Sequence, residues 1–508
     1  MSSVLLFSIV IAYFLLLLAV AWYTSRNSNN DSFFIGNRNS NWMLVSFGMI
    51  GTSLSGVTFV SVPGTVGTNN FGYFQVVIGY FIGYFAVAYI LLPLYYRLQL
   101  TSIYNYLQTR FGTKAYKTGA AFFIISRVLG ATARLYLVIN VLQLFILNGL
   151  QVPFWLSTFV ILLMILLYTF EGGVKTIVFT DTLQTTFMLL GLVVCVVSIM
   201  HALHLNFAES MSALSDKGFI HIFNTDASSS GFFLKQIIGG AFITIGMTGL
   251  DQEMMQKNIS VKTLGDSQKN MISFSVVLVI VNFLFLLLGG LLYLFAAQNN
   301  LALKGDDLFP TVALQHLSPV ISIIFIIGLI SALFPSADGA LTALTSSFCI
   351  DILGLNRNTN LNEQEKKKKR LIVHFCFAVI FFLCVLFFKW MDNKSIIDVI
   401  LKVAGFTYGP LLGLFMFGIL TKRIINDAYS RTVCIVAPLV ILLLDFFNNN
   451  TWYAKQLRLS GAWIDSLQAA ATALFGTYHF GIELLLINAL LTFAGLFMIS
   501  KKGLANAY

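Results

Sequence analysis

Charge is scarce in this sequence. Lys, Arg, Asp and Glu make up 10% of its 508 residues, against roughly 25% in a soluble protein, so the chain lacks the polar surface to face water on all sides. Cysteine is scarce too. Cys195, Cys349, Cys376, Cys384 and Cys434 stand singly on or beside apolar stretches. No CxxC occurs and no histidine sits at ligand spacing, which leaves neither a disulfide framework nor a thiolate metal site supported. There is no GxxxxGK(S/T), which speaks against an ATP-driven pump. The six histidines include no HExxH, and His201 and His204, at a span end, have no carboxylate in register. A membrane enzyme therefore finds no support. A channel would show a repeated filter or a short oligomeric chain, and neither is present.

Apolar residues are abundant: 57% of the chain, with a mean hydropathy of +0.83. Several runs exceed the ~20 residues that carry a helix across a bilayer. A membrane β-barrel would show alternating segments of ~10 residues instead. The fold class is therefore all-α, a polytopic membrane bundle. Spans are expected near 4–23, 42–66, 74–96, 117–147, 154–170, 177–202, 233–256, 271–297, 318–350, 371–390, 396–420, 431–448 and 481–500, about thirteen transmembrane helices.

The net charge of +10 invites a nucleic-acid reading, but its distribution points elsewhere. With the N-terminus outside, the inner segments hold 21 of the 31 basic residues, Lys257, Lys262 and the run Lys366 to Arg370 among them, and the outer segments hold 7. Such an imbalance is the positive-inside signature of a correct span count and orientation. The excess marks topology, with the C-terminus in the cytoplasm, and the Lys366 to Arg370 run reads as an anchor beside anionic lipid. The first span has a signal-peptide-like Ala19-Val20-Ala21, but Met1-Ser2-Ser3 offers no basic n-region. An uncleaved anchor is expected.

Two spans are interrupted. Gly48, Gly51, Ser53, Ser55 and Gly56 break the second, and Gly239, Gly240, Gly246, Thr248 and Gly249 break the seventh before Asp251, Gln252 and Glu253. Small residues permit close helix packing. Alternatively, they let a helix unwind so that freed carbonyls line a cavity or hold an ion, and the matched pair favours this reading. Two such helices five apart suggest inverted repeats. The single transporter domain over 1–508 then divides into an extra N-terminal helix (4–23), repeats at 42–202 and 233–420, and C-terminal helices at 431–508.

Ionisable residues at membrane depth cost roughly 2.5–3.5 kcal/mol each on insertion scales, so each needs a partner or a task. Arg127 and Arg134 lie seven apart on one face of the fourth span. Asp181 opens the sixth, and Asp338 sits midway along the ninth. Asp398 and Lys402 read as an internal i,i+4 salt bridge. The ninth span also carries Ser331, Ser336, Thr342, Thr345, Ser346 and Ser347. Hydroxyls and a carboxylate suit a hard cation, but hydroxyls also bond back to their own helix. Composition leaves both readings open.

Several ordered motifs resemble the sodium:solute symporter family over most of the chain. They are GTSLSGVTFVSVPG, TSIYNYLQTRFG, GGVKTIVFTDTLQ, DQEMMQK and SADGALTALTSSFCIDI. The resemblance, which includes bacterial members similar to sialic acid transporters, implies a LeuT-type five-plus-five inverted repeat and sodium as coupling ion. It further implies a monomer in the cell inner membrane with a small-molecule solute, and no nucleic acid. By the same resemblance the main sodium site uses carbonyls of Gly51, Leu54 and Ala332 and the hydroxyl of Ser336. Members often have a second hydroxyl just before that serine, where this chain has Pro335, which offers none. A second ion site in some members matches Asp181, with Asp338 and Gly339 standing where hydroxyls coordinate. Asp338 either strengthens that site, carries a proton or pairs with an arginine. Ser53, Ser55 and Thr58 face the implied solute pocket. Arg127 stands where sialic-acid-type members hold the substrate carboxylate, a task its planar fork suits; the other reading pairs it with Asp181 or Asp338. The expected function is sodium-driven symport of a small solute by alternating access, with an anionic sugar acid favoured over a neutral sugar. The alternatives are a proton-coupled or uncoupled carrier of a neutral sugar or amino acid, and a sensor that keeps the fold but does not transport.

Overall fold

The computed structural model describes residues 3–25, 40–357, 361–391, 396–456 and 461–503. Most of them are helical. The only strands among the described residues are Ile424–Ile425 and Ser500–Lys501, one short antiparallel pair. Nine helices among the described residues are long and apolar enough to cross a bilayer, or eleven if each of two bent pairs counts as one span. The span expected at 481–500 corresponds to a shorter apolar helix, Leu484–Met498, and that at 154–170 to an apolar stretch, Phe154–Thr169, of a longer helix. Eleven spans at most, rather than thirteen, are long and apolar enough among the described residues.

The helices that build the site are α1 (Ser3–Ser25), α2 (Trp42–Ser53), α3 (Gly56–Asn69), α4 (Tyr73–Ala86), α5 (Thr113–Leu142), α6 (Phe154–Ala202), α7 (Phe233–Thr244), α8 (Gln252–Ile259), α9 (Leu264–Gln298), α10 (Pro319–Ser347), α11 (Glu363–Met391) and α12 (Ile396–Leu420). Two more follow, α13 (Asp427–Asn448) and α14 (Leu484–Met498). Pro at the first position, where an N–H would be unsatisfied anyway, opens α10. From Leu329 to Ser347 every residue of α10 is buried. It is the central post of the bundle, with α1, α2, α3, α5, α6, α8 and α11 packed around it.

Two spans were expected within 154–202, and the structure has one helical element, α6, running through the intended break. Both of its apolar stretches nevertheless lie along α10. The Tyr168 hydroxyl donates to Asp338 at 2.7 Å, and Gly191 packs on Gly328.

Both glycine- and hydroxyl-rich spans are broken, as the unwinding reading expects. α2 and α3 meet at 55°, and α7 with its π-helical extension Ile245–Gly249 meets α8 at 65°. At the first break Leu54 leaves helical geometry (φ −88°, ψ 70°) and Ser55 is extended (φ −70°, ψ 177°). At the second, Asp251 caps α8, its carboxylate accepting from the N–H groups of Glu253 (2.9 Å) and Met254 (3.2 Å). A side-chain acceptor there supplies donors that a helix start leaves orphaned.

The ammonium of Lys402 reaches Asp445 of α13 at 2.9 Å and lies over the rings of Trp452 and Tyr453, contacts that a helical repeat cannot foretell; the expected pairing with Asp398 falls on a side chain outside the described residues. Arg370, expected on the lipid-facing run, is buried.

α4 and α7 touch backbone to backbone. A Cβ at Gly79 would overlap the Ile237 carbonyl and crowd Gly240, and one at Gly83 would crowd the Ala241 backbone. Gly130 of α5, by contrast, has nothing within 4 Å of such a Cβ. Overpacking typically costs about 1–3 kcal/mol. Gly79→Val is therefore expected to lower the detergent-solubilised protein's melting temperature by several degrees, or to abolish folded yield, while Gly130→Ala leaves both unchanged.

Candidate functional site

The break between α2 and α3 opens onto a cavity. Ser53, Leu54, Ser55 and Thr58 line it from the broken helix, Tyr73, Tyr80 and Tyr84 from α4, and Arg127 and Arg134 from α5. Thr244, Met247 and Thr248 come from α7 and its extension, and Asn282 from α9. The three hydroxyl residues expected to face a solute, and Arg127, are thus brought to one wall-to-wall space. Tyr73 and Leu401 line this cavity and also a larger cleft of about 760 Å³ beyond it, whose walls include Gln75, Asn224, Asp226 and Trp452.

Behind the cavity lies a buried chain of charges. Lys257 of α8 donates to Asp181 at 2.7 Å and to the Thr52 hydroxyl at 2.6 Å, and stands 3.4 Å from Glu253. Arg127 bonds Glu253 on its other side and lies 3.7 Å from Asp251, which also accepts from the Tyr408 hydroxyl of α12 at 2.9 Å. The order is Asp181, Lys257, Glu253, Arg127, Asp251, Tyr408, and all six are buried. In low dielectric an isolated charge is costly, so opposite charges alternate along the chain. Glu253 also lies against Gly339, where any Cβ would overlap its carboxylate.

This arrangement bears on three expectations. Lys257, counted among the inner topological charges, is buried and paired, because the turn of α8 carries it back into the bundle. Arg127 pairs with Glu253 and Asp251, not with Asp181 or Asp338. Asp181, expected toward a second ion, holds an ammonium through one oxygen, while its Oδ1 has no hydrogen-bond partner. Asp338 accepts from Tyr168 and, through Oδ1, from the Gly339 N–H. Arg134, noted on the same face as Arg127 but given no role, has no acidic partner among the described residues.

Reading the sequence passed over Glu253, Asp251, Tyr168 and Tyr408 as partners. One signal was available: α8 is polar in composition, yet it continues the broken span begun by α7. Every residue of α8 is buried.

The two helices expected to hold sodium meet at Gly51. Gly51 of α2 faces Pro335 of α10, whose ring carbon lies 3.6 Å from where a Gly51 Cβ would sit. Ala332 lies one turn before Pro335 and Ser336 directly after it. The Ser336 hydroxyl donates to the Leu333 carbonyl at 2.8 Å, which leaves its lone pairs free to accept a cation.

The comparisons fit this geometry. The family model described as the sodium:solute symporter family matches residues 33–428, and the chain belongs to that family. It is similar to the sodium/sialic acid symporter SiaT of Proteus mirabilis, 23% identical over 449 residues, 84% of this chain and 86% of that protein. It is likewise similar to the sodium/sialic acid symporter NanT of Aliivibrio fischeri, 24% identical, with 85% and 86% covered. Among solved structures, the substrate-bound, outward-open state of a Na+-coupled sialic acid symporter superposes with a TM-score of 0.80 at 19% identity, covering 98% of this chain and 99% of that one. Mhp1, a nucleobase-cation-symport-1 transporter in a closed conformation, gives 0.51 at 12% identity, with 92% and 98% covered. These likenesses establish the LeuT-type architecture of a multi-pass membrane protein.

Removing one member of a buried ion pair typically costs about 3–5 kcal/mol. Lys257→Met is expected to lower stability by that order, since Asp181 loses its ammonium, whereas Lys257→Arg keeps the charge and most of the stability. Thermal unfolding in detergent decides it. A Met variant melting with the wild type would show that the charge chain contributes nothing to stability.

Proposed function

We propose that the chain carries a small organic anion, of the sugar-acid type, into the cell together with sodium. The observation that carries this reading is the convergence at one broken helix of two different surfaces. On one side the backbone around Gly51 and Leu54 meets α10; on the other, Ser53, Ser55 and Thr58 face a cavity holding two arginines. A cation bound to the carbonyls of Gly51, Leu54 and Ala332 and the hydroxyl of Ser336 ties α2 to α10. Doing so fixes the positions of the solute-facing hydroxyls, which is how ion binding and solute binding become coupled. The similar bacterial proteins are named as sodium/sialic acid symporters, which supports both the ion and the solute class. The role is transport rather than catalysis.

The solute carboxylate falls to the arginines. Arg127 is committed to Glu253 and Asp251, so Arg134, without an acidic partner among the described residues, is the more available fork, with Arg127 behind it. At Asp181, Lys257 already supplies the positive charge; with Asp338 held by Tyr168, we assign one sodium ion to each cycle. The domain is a single transporter unit with repeats at 42–202 and 233–420, acting as a monomer in the inner membrane. Its N-terminus is outside and its C-terminus cytoplasmic, which places the 760 Å³ cleft on the outer face. Each net charge moved inward gains about 2.3 kcal/mol per 100 mV of membrane potential.

The test is a thermal-shift screen of the purified protein against sugar acids, neutral sugars, amino acids and nucleobases, each in sodium and in potassium. A sugar acid is expected to raise the melting temperature in sodium only, since a ligand stabilises the state it binds. Arg134→Ala should weaken that ligand by about tenfold or more, while leaving the unliganded melting temperature in place. Stabilisation that is equal in both salts would rule out sodium coupling. A response to neutral sugars alone would rule out the anionic solute.

A further inference from the structure

The proposed sodium site lacks a ligand. Pro335 has no hydroxyl, and it lies at the point where α10 meets Gly51 of α2. A hard cation prefers six or more oxygens, or five in a tight site, and a gap in its shell weakens binding.

Thr185 of α6 stands at this gap. Its side chain is fully buried, and its hydroxyl has no hydrogen-bond partner. That is unusual on this helix. The hydroxyls of Thr180, Thr182 and Thr186 all donate to carbonyls three or four residues back, at 3.1 Å to Ile177, 2.7 Å to Val178 and 2.8 Å to Thr182, the ordinary way a buried helical threonine is satisfied. Thr185 instead turns its hydroxyl toward α2. It comes so close to Gly51 that a Cβ on that residue would overlap the oxygen, and the Pro335 ring lies on the same side of Gly51. A buried hydroxyl left unpaired is destabilising, so an oxygen held there against Gly51 calls for a partner.

We propose that Thr185 Oγ1 is a sodium ligand, supplying from α6 the oxygen that Pro335 cannot supply from α10. The site then joins three helices rather than two, with α6 added to α2 and α10. This rests on the sodium site proposed above.

A rival donor exists. Proline at 335 removes the N–H that would have bonded the Ser331 carbonyl, and that carbonyl is a second oxygen in the region. It faces the proline ring, however, and the Ser331 side chain is turned the other way, donating to Tyr13 of α1 at 2.7 Å. The Thr185 hydroxyl is the one that borders Gly51.

The experiment measures the sodium concentration that half-saturates thermal stabilisation of the full chain, with the potassium melting temperature as the folding control. Thr185→Val, which keeps the shape and removes the oxygen, is expected to raise that concentration about tenfold or more and to leave the potassium value unchanged. Thr185→Ser should stay near wild type. Thr185→Val combined with Pro335→Ser should regain most of the lost affinity, because a hydroxyl returns on α10. A Thr185→Val protein with wild-type sodium dependence would overturn the assignment. So would loss of sodium affinity in Pro335→Ala, where the restored N–H reclaims the Ser331 carbonyl, because that carbonyl would then be the ligand. Wild-type protein that gains nothing in sodium over potassium would instead remove the sodium site itself.

Discussion

Five ionisable side chains and a tyrosine are held in line at the centre of a largely apolar bundle. Asp181, Lys257, Glu253, Arg127 and Asp251 come from α6, α8, α5 and the turn before α8, and Tyr408 adds α12. No single helix can satisfy its own share. An unpaired charge in this setting costs several kcal/mol, so the position of each helix is constrained by the others' charges rather than by apolar packing alone. The broken second span depends on this too. Thr52, two residues before Leu54, accepts from Lys257 and donates to Asp181, which fixes the inner half of the break against the charge chain. The outer half is free to present Ser55 and Thr58 to the cavity.

Much of the fold is legible in the sequence because membrane helices announce themselves locally. Length and hydropathy locate the spans, and glycine with hydroxyl residues locates both breaks at Leu54–Ser55 and near Leu250, since unwinding is a property of the segment that unwinds. The convergence of Gly51 with α10, and of Ser53, Ser55 and Thr58 with Arg127, also follows, because the family resemblance carries tertiary information with it. Charge partners are a different matter. Lys257 is four residues from Glu253, a spacing equally suited to a solvated helix face, and only the three-dimensional course of α8 shows that it points inward. The contact of Lys402 with Asp445 of α13 is hidden in the same way. Pairing between distant segments leaves no periodicity to read. The length of α6 was missed for a related reason, since glycine and a charge near 171–175 mark a loop and a tolerated helix interior alike.

The family membership and the charge chain bear on each other. A carrier must pass through states in which its helices stand in different relations, yet the charge chain penalises any state that separates its members. The two statements agree if the charged helices travel together and the change of shape is taken up elsewhere. Lys257 and Glu253 share α8, and Arg127 reaches both acids that flank it, so the group has the connectivity of a unit that moves as one.

The contact between α4 and α7 extends this. Where helices meet through side chains, rotamer changes let one slide over the other by an ångström or two. At Gly79 and Gly240 only backbone lies between the two helices, and at Gly83 the neighbours are the Ala241 backbone and the Thr244 side chain, so little there can re-orient to absorb a displacement. The close contact makes it cheaper for α4 and α7 to move together than past one another. α2–α3 and α7–α8 are each bent at one break, so Leu54–Ser55 and Leu250–Asp251 are the points in those two spans where a change of angle disturbs the fewest helical hydrogen bonds.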